Sequence, residues 1–261
     1  SPYKGFSVEF AEYRQYTPGD DPRHIDWKVY ARSDKFYVKE FEEETNLSGH
    51  ILLDLSKSMT YKSSGISKLE YASYLTASLA YLMIRQRDSV GVIGFSDKID
   101  FHIPAKLRPG HLHTILHAIE NIAHGDRTDI GTPLHQVADT LRKKGLLILL
   151  SDFLDEPQKI IEALQHFRFR GHDVIVFHIL DESELTFPFH NSTRFVGLEG
   201  EGSFLTVPLS VRDEYLSRME RHLAAIKSGC GLNKIDYAVL NTSQPLDFAL
   251  QAYLAARTGK M

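Results

Sequence analysis

Oxygen-bearing side chains in three separate segments of the chain form a pattern typical of a divalent-cation site. Asp54, Ser56 and Ser58 directly follow one apolar run, and Asp152 follows another. Thr128 lies in a polar segment ahead of a predicted helix. Carboxylate and hydroxyl oxygens are hard donors that suit Mg²⁺ first, and Mn²⁺ or Ca²⁺ next. These side chains are the candidate metal ligands.

The spacing Asp54-x-Ser56-x-Ser58 allows a loop past a strand end to turn alternate side chains to one side. Two neutral hydroxyls and one carboxylate leave the metal much of its positive charge, so it can accept a carboxylate from a partner protein. Aspartate and serine are also common in turns and at helix N-termini, so the motif alone fits a capped turn about equally well. Thr128 and Asp152 favour the metal interpretation.

The segments that must position these residues alternate between apolar runs and amphipathic stretches from residue 49 onward. Such alternation predicts an α/β fold with a doubly wound, mostly parallel six-stranded sheet covered on both faces. Ligands bind such sheets outside the carboxyl ends of the strands, where the strand order reverses. Asp54 and Asp152 each follow a predicted strand, so we expect them to meet at this edge.

Individual elements follow from the apolar pattern and from turn residues. The strand at 99–103 is predicted to be an antiparallel edge, and residues 183–209 a loop with a hairpin near 199–202. The other strands are predicted at 51–55, 89–95, 146–150, 173–180 and 235–240. Helices are predicted after the capping box Ser67–Glu70, after Gly110, from Thr132 as N-cap, from Pro157, and at 210–227 and 245–256.

Residues 1–48 differ from the rest and predict a short β-rich extension ahead of a metal-site domain at 49–261. Acidic and arginine side chains are mixed in this extension, which favours an ion-pair network around a tight turn over a second metal site. Trp27 is predicted to be a buried anchor. The network would contain Asp20, Asp21 and Asp26 with Arg14, Arg23 and Arg32.

Composition excludes several classes of protein. The 261 residues include 30 basic and 34 acidic side chains, and a net charge of −4 argues against nucleic-acid binding through bulk charge. No apolar run is long enough for a membrane span. The single Cys230 cannot form an internal disulfide, so we expect a cytoplasmic protein. The chain opens without methionine, and we expect it to be a fragment.

Other catalytic arrangements are less consistent with the sequence. His111, His113 and His117 lack acidic or cysteine partners at metal-binding spacing, so a solvated helix face is favoured over zinc. A Ser-His-Asp order and a phosphate-binding loop are both absent. We therefore predict a protein that is not an enzyme. The alternative is a metal-assisted hydrolase or phosphotransferase with Asp126 or Asp129 as base, which would need an enclosed pocket over Asp54.

The candidate ligands resemble the metal-ion-dependent adhesion site of von Willebrand factor type A domains, in which an Asp-x-Ser-x-Ser loop, a threonine and a distant aspartate hold the ion. Asp54, Ser56 and Ser58 match the loop, Thr128 the threonine and Asp152 the aspartate. The predicted order of elements is similar as well. The resemblance implies a protein-interaction module in which a partner's Asp or Glu completes the metal shell at a shallow, exposed site.

The extension resembles the signature of domain-of-unknown-function family number 58, whose bacterial and archaeal members join such a segment to a von Willebrand A-like domain. The similarity is carried by residues 9–40, above all by Gly19 to Trp27, and by the ending Asn241 to Leu246. It implies a co-chaperone or assembly factor that works with a MoxR-type AAA+ ATPase. It also implies that family sequence is missing before Ser1.

Overall fold

The computed structural model describes residues 7–44, 47–122, 130–198 and 202–258. The chain divides into two compact units. The first comprises the residues up to Leu47, and the second runs from Ser48 to Lys260. Each unit is described separately below.

The first unit is a β-hairpin with a helix between its strands. Strand β1 (Ser7–Gln15) pairs antiparallel with β2 (Tyr37–Glu44), and a bulge interrupts the ladder at Phe10 to Glu12. This arrangement confirms a β-rich extension. Helix α1 (Trp27–Ser33) was not expected; it starts because the Asp26 carboxylate accepts hydrogen bonds from the first backbone N–H groups of the helix.

Trp27 is not a buried anchor, so that prediction is wrong. Its side chain is 60% exposed, and its indole makes edge-to-face contacts with Tyr30 and Phe36. The physical reason lies in α1, which buries none of its residues and therefore holds its aromatic side chains at the surface.

The acidic and arginine side chains of this unit form local ion pairs. Arg14 Nη2 lies 2.9 Å from Asp20 Oδ1, and Arg23 Nη2 lies 2.6 Å from Asp21 Oδ2. The hydrogen bond from Arg14 holds the pKa of Asp20 well below its usual range. Asp26 instead caps α1 and accepts a hydrogen bond from the Tyr13 hydroxyl. Pairing within one turn supports the structural interpretation over a second metal site.

The second unit is built on the expected doubly wound sheet. Its strand order is β10-β7-β6-β3-β4-β5, and every neighbouring pair is parallel except β4 and β5. The strand order reverses between β3 and β6, which places the switch point there. The strands are β3 (Ser48–Asp54), β4 (Ser89–Phe95), β5 (Ile99–Lys106), β6 (Leu146–Ser151), β7 (Asp173–Leu180) and β10 (Asp236–Asn241).

Helices cover this sheet, and a short hairpin lies outside it. The hairpin pairs β8 (Thr193–Val196) with β9 (Ser203–Thr206). Of its predicted turn, residues 199–201 lie outside the described part of the chain. The helices are α2 (Lys68–Arg85), α3 (His111–Glu120), α4 (Gly131–Thr140), α5 (Pro157–Phe169), α6 (Glu182–Thr186), α7 (Pro208–Leu232) and α8 (Asp247–Thr258).

Thr132 is not the N-cap of α4, so this prediction is also wrong. The helix begins at Gly131, two residues earlier than predicted, and Ile130 occupies the cap without a side-chain hydrogen bond. Ile130 is fully buried in the core cluster, and we attribute its cap position to that burial because packing outweighs local capping preference.

Strand β5 forms an edge of the sheet and is irregular. Its register against β4 shifts between Val90 and Val92, beside Gly91. A Cβ atom at Gly91 would lie 2.6 Å from the carbonyl oxygen of Ile103, so the close approach of the two backbones requires glycine. Burial alternates along β5, and its exposed positions include Asp100, Pro104 and Lys106.

The helices of the described residues are too short or too polar to span a membrane. Over residues 7–44, 47–122, 130–198 and 202–258, no helix has both the length and the apolar character needed to cross a bilayer.

Candidate metal centre

Asp54 lies at the carboxyl end of β3, beside the switch point of the sheet, and its side chain is fully buried. Its Oδ1 accepts a hydrogen bond of 2.8 Å from the backbone N–H of Ser56. Its Oδ2 accepts one of 2.6 Å from the Ser151 hydroxyl at the end of β6. Neighbouring parallel strands therefore hold this carboxylate from two sides.

The two serines of the motif lie together, as the spacing predicts. Ser56 Oγ and Ser58 Oγ are 3.0 Å apart, and both residues are buried. The intervening Lys57 is exposed, so the loop does turn alternate side chains to opposite sides. A short 3-10 helix, Lys57–Thr60, fixes this turn. Among the described candidate ligands, Ser58 is the most exposed, at 9%. The candidate metal centre is therefore most accessible to solvent on the side where Ser58 lies.

Asp152 follows β6, where its fully buried carboxylate is paired with a lysine. Lys68 Nζ lies 2.8 Å from Asp152 Oδ2 and 2.7 Å from Glu184 Oε1. Burial alone would lower the pKa of the Lys68 ammonium, but the charges of Asp152 and Glu184 outweigh burial and raise it. A cation tethered to α2 therefore neutralises part of the acidic charge.

The charges of one buried cluster do not balance. Among its described residues, the carboxyl groups of Asp54, Asp152 and Glu184 stand against the Lys68 ammonium, which leaves an excess of two negative charges when all four groups are ionised. The pKa of Asp54 is raised to about 7, mainly by burial and to a smaller extent by the charge of Asp152. Burial also raises the pKa of Glu184. A divalent cation would compensate this excess, so the residues present fit such an ion.

The structure brings Asp54, Ser56 and Ser58 together and places Asp152 close enough for its charge to act on Asp54. The remaining candidate, Thr128, lies outside the described residues, as do the candidate bases Asp126 and Asp129. The burial of Asp54 and Asp152 differs from the shallow, exposed site that the docking hypothesis predicts. A carboxylate from a partner would have to approach on the Ser58 side.

Sequence reasoning missed Lys68, Ser151 and Glu184. The position of Lys68 in the sequence could have indicated its role. Lys68 is the first residue of α2, where the positive end of the helix dipole disfavours a cation. A lysine at this position needs carboxylate partners in the fold. Ser151 and Glu184 gave no comparable signal, since serine is common at strand ends and glutamate in first helical turns.

The capping box that positions Lys68 is present as predicted. The Ser67 hydroxyl accepts a hydrogen bond from the backbone N–H of Glu70, and the Glu70 carboxylate accepts one from the backbone N–H of Ser67. We expect Ser67→Ala to lower the free energy of unfolding by about 1 kcal/mol, because it removes the cap. Urea denaturation would measure the loss. An unchanged midpoint would show that Lys68 is positioned without the cap.

His113 and His117 are exposed, as the solvated helix face predicts, but His111 is buried, so that prediction is wrong for His111. The His113 and His117 rings stack with centroids 6.4 Å apart, and His111 Nε2 lies 2.7 Å from the carbonyl oxygen of Val90. Cys230 is buried, and burial raises its pKa to about 12. Over the described residues, no group of three or more His, Cys, Asp or Glu side chains could hold a metal. The candidate metal centre instead combines two carboxylates, of Asp54 and Asp152, with hydroxyl donors.

One sequence relative and two solved structures are similar to this chain. The uncharacterized protein Rv1480 of Mycobacterium tuberculosis is 25% identical over 234 residues, which cover 87% of this chain and 73% of that protein. The structure of BatB from Bacteroides thetaiotaomicron is 19% identical with a TM-score of 0.56, over 81% of this chain and 99% of that one. An aerotolerance-related membrane protein from Bacteroides fragilis is also 19% identical, with a TM-score of 0.55, over 82% and 100%.

At 19% identity the two structural matches bear on the fold alone. The family described as "Protein of unknown function DUF58" matches residues 12–225, which is well over half of the chain. This match covers much of the first unit together with most of the α/β unit that carries Asp54 and Asp152. The chain therefore belongs to the DUF58 family.

Proposed function

We propose that this protein is a metal-dependent protein-interaction module. Asp54, Ser56, Ser58, Thr128 and Asp152 would hold one divalent cation, Mg²⁺ first, and an Asp or Glu of a partner would complete its coordination. The observation that carries the proposal is the geometry of the site, in which the fully buried Asp54 carboxylate accepts hydrogen bonds from Ser56 and Ser151 and the Ser56 and Ser58 hydroxyls lie 3.0 Å apart. The raised pKa of Asp54 is consistent with a position that a cation would stabilise.

The donor chemistry supports docking over catalysis. Hydroxyl donors leave the cation positive enough to attract an external carboxylate, whereas hydrolysis also needs a base. His178 is close enough for the charge of Asp152 to act on it, but burial lowers its pKa to about 3. A histidine with so low a pKa is a weak base at neutral pH. His178 therefore does not supply that base.

Calorimetric titration with Mg²⁺ tests the metal site. The native chain is expected to bind Mg²⁺, and Asp54→Asn to bind it at least about tenfold more weakly, because the charged donor is lost. Asp97→Asn is the matched control, since Asp97 is an exposed acid just past β4 at the same edge of the sheet. Equal affinities for the native chain and Asp54→Asn would refute the proposed site.

We also infer a partner class from the family resemblance, namely a MoxR-type AAA+ ATPase. Co-purification of the native chain with such an ATPase in Mg²⁺ and in EDTA tests this step. Recovery in Mg²⁺ and loss in both EDTA and Asp54→Asn would support it. Recovery that is equal in all three conditions would show that the partner binds elsewhere on the chain.

A further inference from the structure

A cavity of about 520 Å³ lies in the second unit, between the β8–β9 hairpin, α6 and α7. This volume lies in the range of sites that hold small molecules or buried side chains. Six of its thirteen lining residues are aromatic, and five of their rings contact one another at centroid distances of 4.6–5.7 Å. These rings belong to Phe187, Phe189, Phe195, Phe204 and Tyr215.

The cavity shares its polar wall with the candidate metal centre. Glu184 lines the cavity and bonds Lys68, which in turn bonds Asp152. Tyr61 also lines it, only three residues after Ser58, and the Lys68 ammonium lies 5.7 Å from the centroid of the Tyr61 ring. A ligand that reaches the metal centre from the Ser58 side would therefore have this cavity beside it.

The polar groups of the wall indicate which chemistry the cavity accepts. Glu214 is paired with Arg218, whereas Glu184 shares the Lys68 ammonium with Asp152, so any excess charge at the wall is negative. The Tyr215 hydroxyl donates to the carbonyl oxygen of Glu184, which leaves the phenol oxygen able to accept a hydrogen bond. An aromatic group with one N–H or O–H donor fits this combination, and an anionic group does not.

The rim of the cavity favours a polypeptide over a free small molecule. Phe204 and Val196 line the cavity and are 62% and 64% exposed, and the neighbouring Leu205 is 66% exposed. Apolar surface therefore continues from the cavity onto the outer hairpin. A small molecule inside the cavity would leave this surface in water, whereas a peptide crossing the rim would cover it.

We propose that this cavity, the aromatic cavity, receives a tryptophan or tyrosine side chain of the same partner that supplies a carboxylate to the metal. The contact between the partner's carboxylate and the metal rests on the proposed function, whereas binding of an aromatic side chain in the cavity does not. The partner motif would carry an acidic residue and an aromatic residue close together. Each would occupy one of two adjacent sites that share the pair Lys68 and Glu184.

The first experiment tests the aromatic cavity alone, with N-acetyl-tryptophanamide as probe and NMR titration as readout. Weak binding is expected with Mg²⁺ and with EDTA alike. Val211→Trp, which places a ring on the α7 wall of the cavity, should weaken it by about tenfold or more. Leu209→Trp is the matched control, because Leu209 is 57% exposed on the same helix and does not line the cavity. Binding that Val211→Trp leaves unchanged would overturn the proposal.

The second experiment tests the link to the metal with capped peptides that place Trp one to four residues from Asp. In Mg²⁺, at least one peptide should bind about 10- to 100-fold more tightly than its Asp→Asn or Trp→Ala counterpart, because two linked contacts reinforce each other. If no peptide exceeds the free amide although Mg²⁺ binds, the cavity is a small-molecule site and the partner assignment is wrong. If Mg²⁺ does not bind, the proposed function fails, and the amide titration alone decides on the cavity.

Discussion

Replacing Lys68 by methionine is expected to lower the free energy of unfolding by about 3–5 kcal/mol. The substitution keeps most of the side-chain volume but removes the ammonium group between Asp152 and Glu184. Both carboxylates would then be left in a site where the lysine and Asp152 side chains are fully buried, and an unpaired buried charge is costly. Urea denaturation at pH 7 in EDTA, with native and variant chains compared, measures the loss.

Mg²⁺ should reverse part of this loss. Without Lys68 the acidic excess at the site rises, so the increase in melting temperature on adding Mg²⁺ is expected to be larger for Lys68→Met than for the native chain. Lys159→Met is the control. Lys159 is 53% exposed, its ion pairs with Asp155 and Glu156 are superficial, and its removal should cost less than about 0.5 kcal/mol. Equal losses for the two variants would contradict the buried-pair interpretation.

The second large effect is expected from Asp181→Ala, which should cost about 2–4 kcal/mol. Asp181 is 1% exposed and caps α6, and its carboxylate accepts hydrogen bonds from the backbone and hydroxyl groups of both Ser63 and Ser183. The substitution therefore releases the loop after the metal motif from α6. Chemical denaturation of both chains at pH 7 would measure this loss.

The same site gives a pH dependence with a defined sign. Burial alone would raise the pKa of Asp181, but the hydrogen bonds from Ser63 and Ser183 outweigh burial and hold the pKa below its ordinary value of 3.8. The folded state thus binds the proton less tightly than the unfolded state does. The contribution of Asp181 is complete above pH 3.8 and is lost as the pH falls through the lowered pKa.

Asp181→Asn separates the charge of Asp181 from its hydrogen-bonding geometry. The amide oxygen can still accept hydrogen bonds, so this variant should be more stable than Asp181→Ala at pH 7. Its deficit relative to the native chain should shrink as the pH is lowered below 3.8. A deficit that is constant from pH 7 to pH 3 would show that the charge of Asp181 does not contribute.

The central strands of the sheet were predictable because they are buried on both faces. Strands β4 (Ser89–Phe95) and β7 (Asp173–Leu180) have the predicted bounds, since continuous apolar runs flanked by polar residues can hardly fold otherwise. The meeting of Asp54 with the end of β6 also followed, because parallel strands present their carboxyl ends at one edge. The apolar runs and the parallel topology were sufficient for these predictions.

The errors arose where local preference competed with tertiary contacts. Helix α1 was missed because it lacks an apolar stripe and begins at an aspartate that fitted an ion-pair network equally well. The role of Lys68 was missed because its partners, Asp152 and Glu184, lie 84 and 116 residues away in the sequence. No local pattern records such a distant contact.

The irregular edge strand β5 has a consequence for how partners can attach. Sheet edges recruit other chains by adding a strand, and a bulge, a proline and charged side chains are the features that prevent such addition. Strand β5 combines the shifted register beside Gly91 with exposed Asp100, Pro104 and Lys106. This edge is therefore protected against polymerisation, and recognition through main-chain pairing is disfavoured there. Selectivity for a partner would then depend on side chains gathered at the ends of the strands.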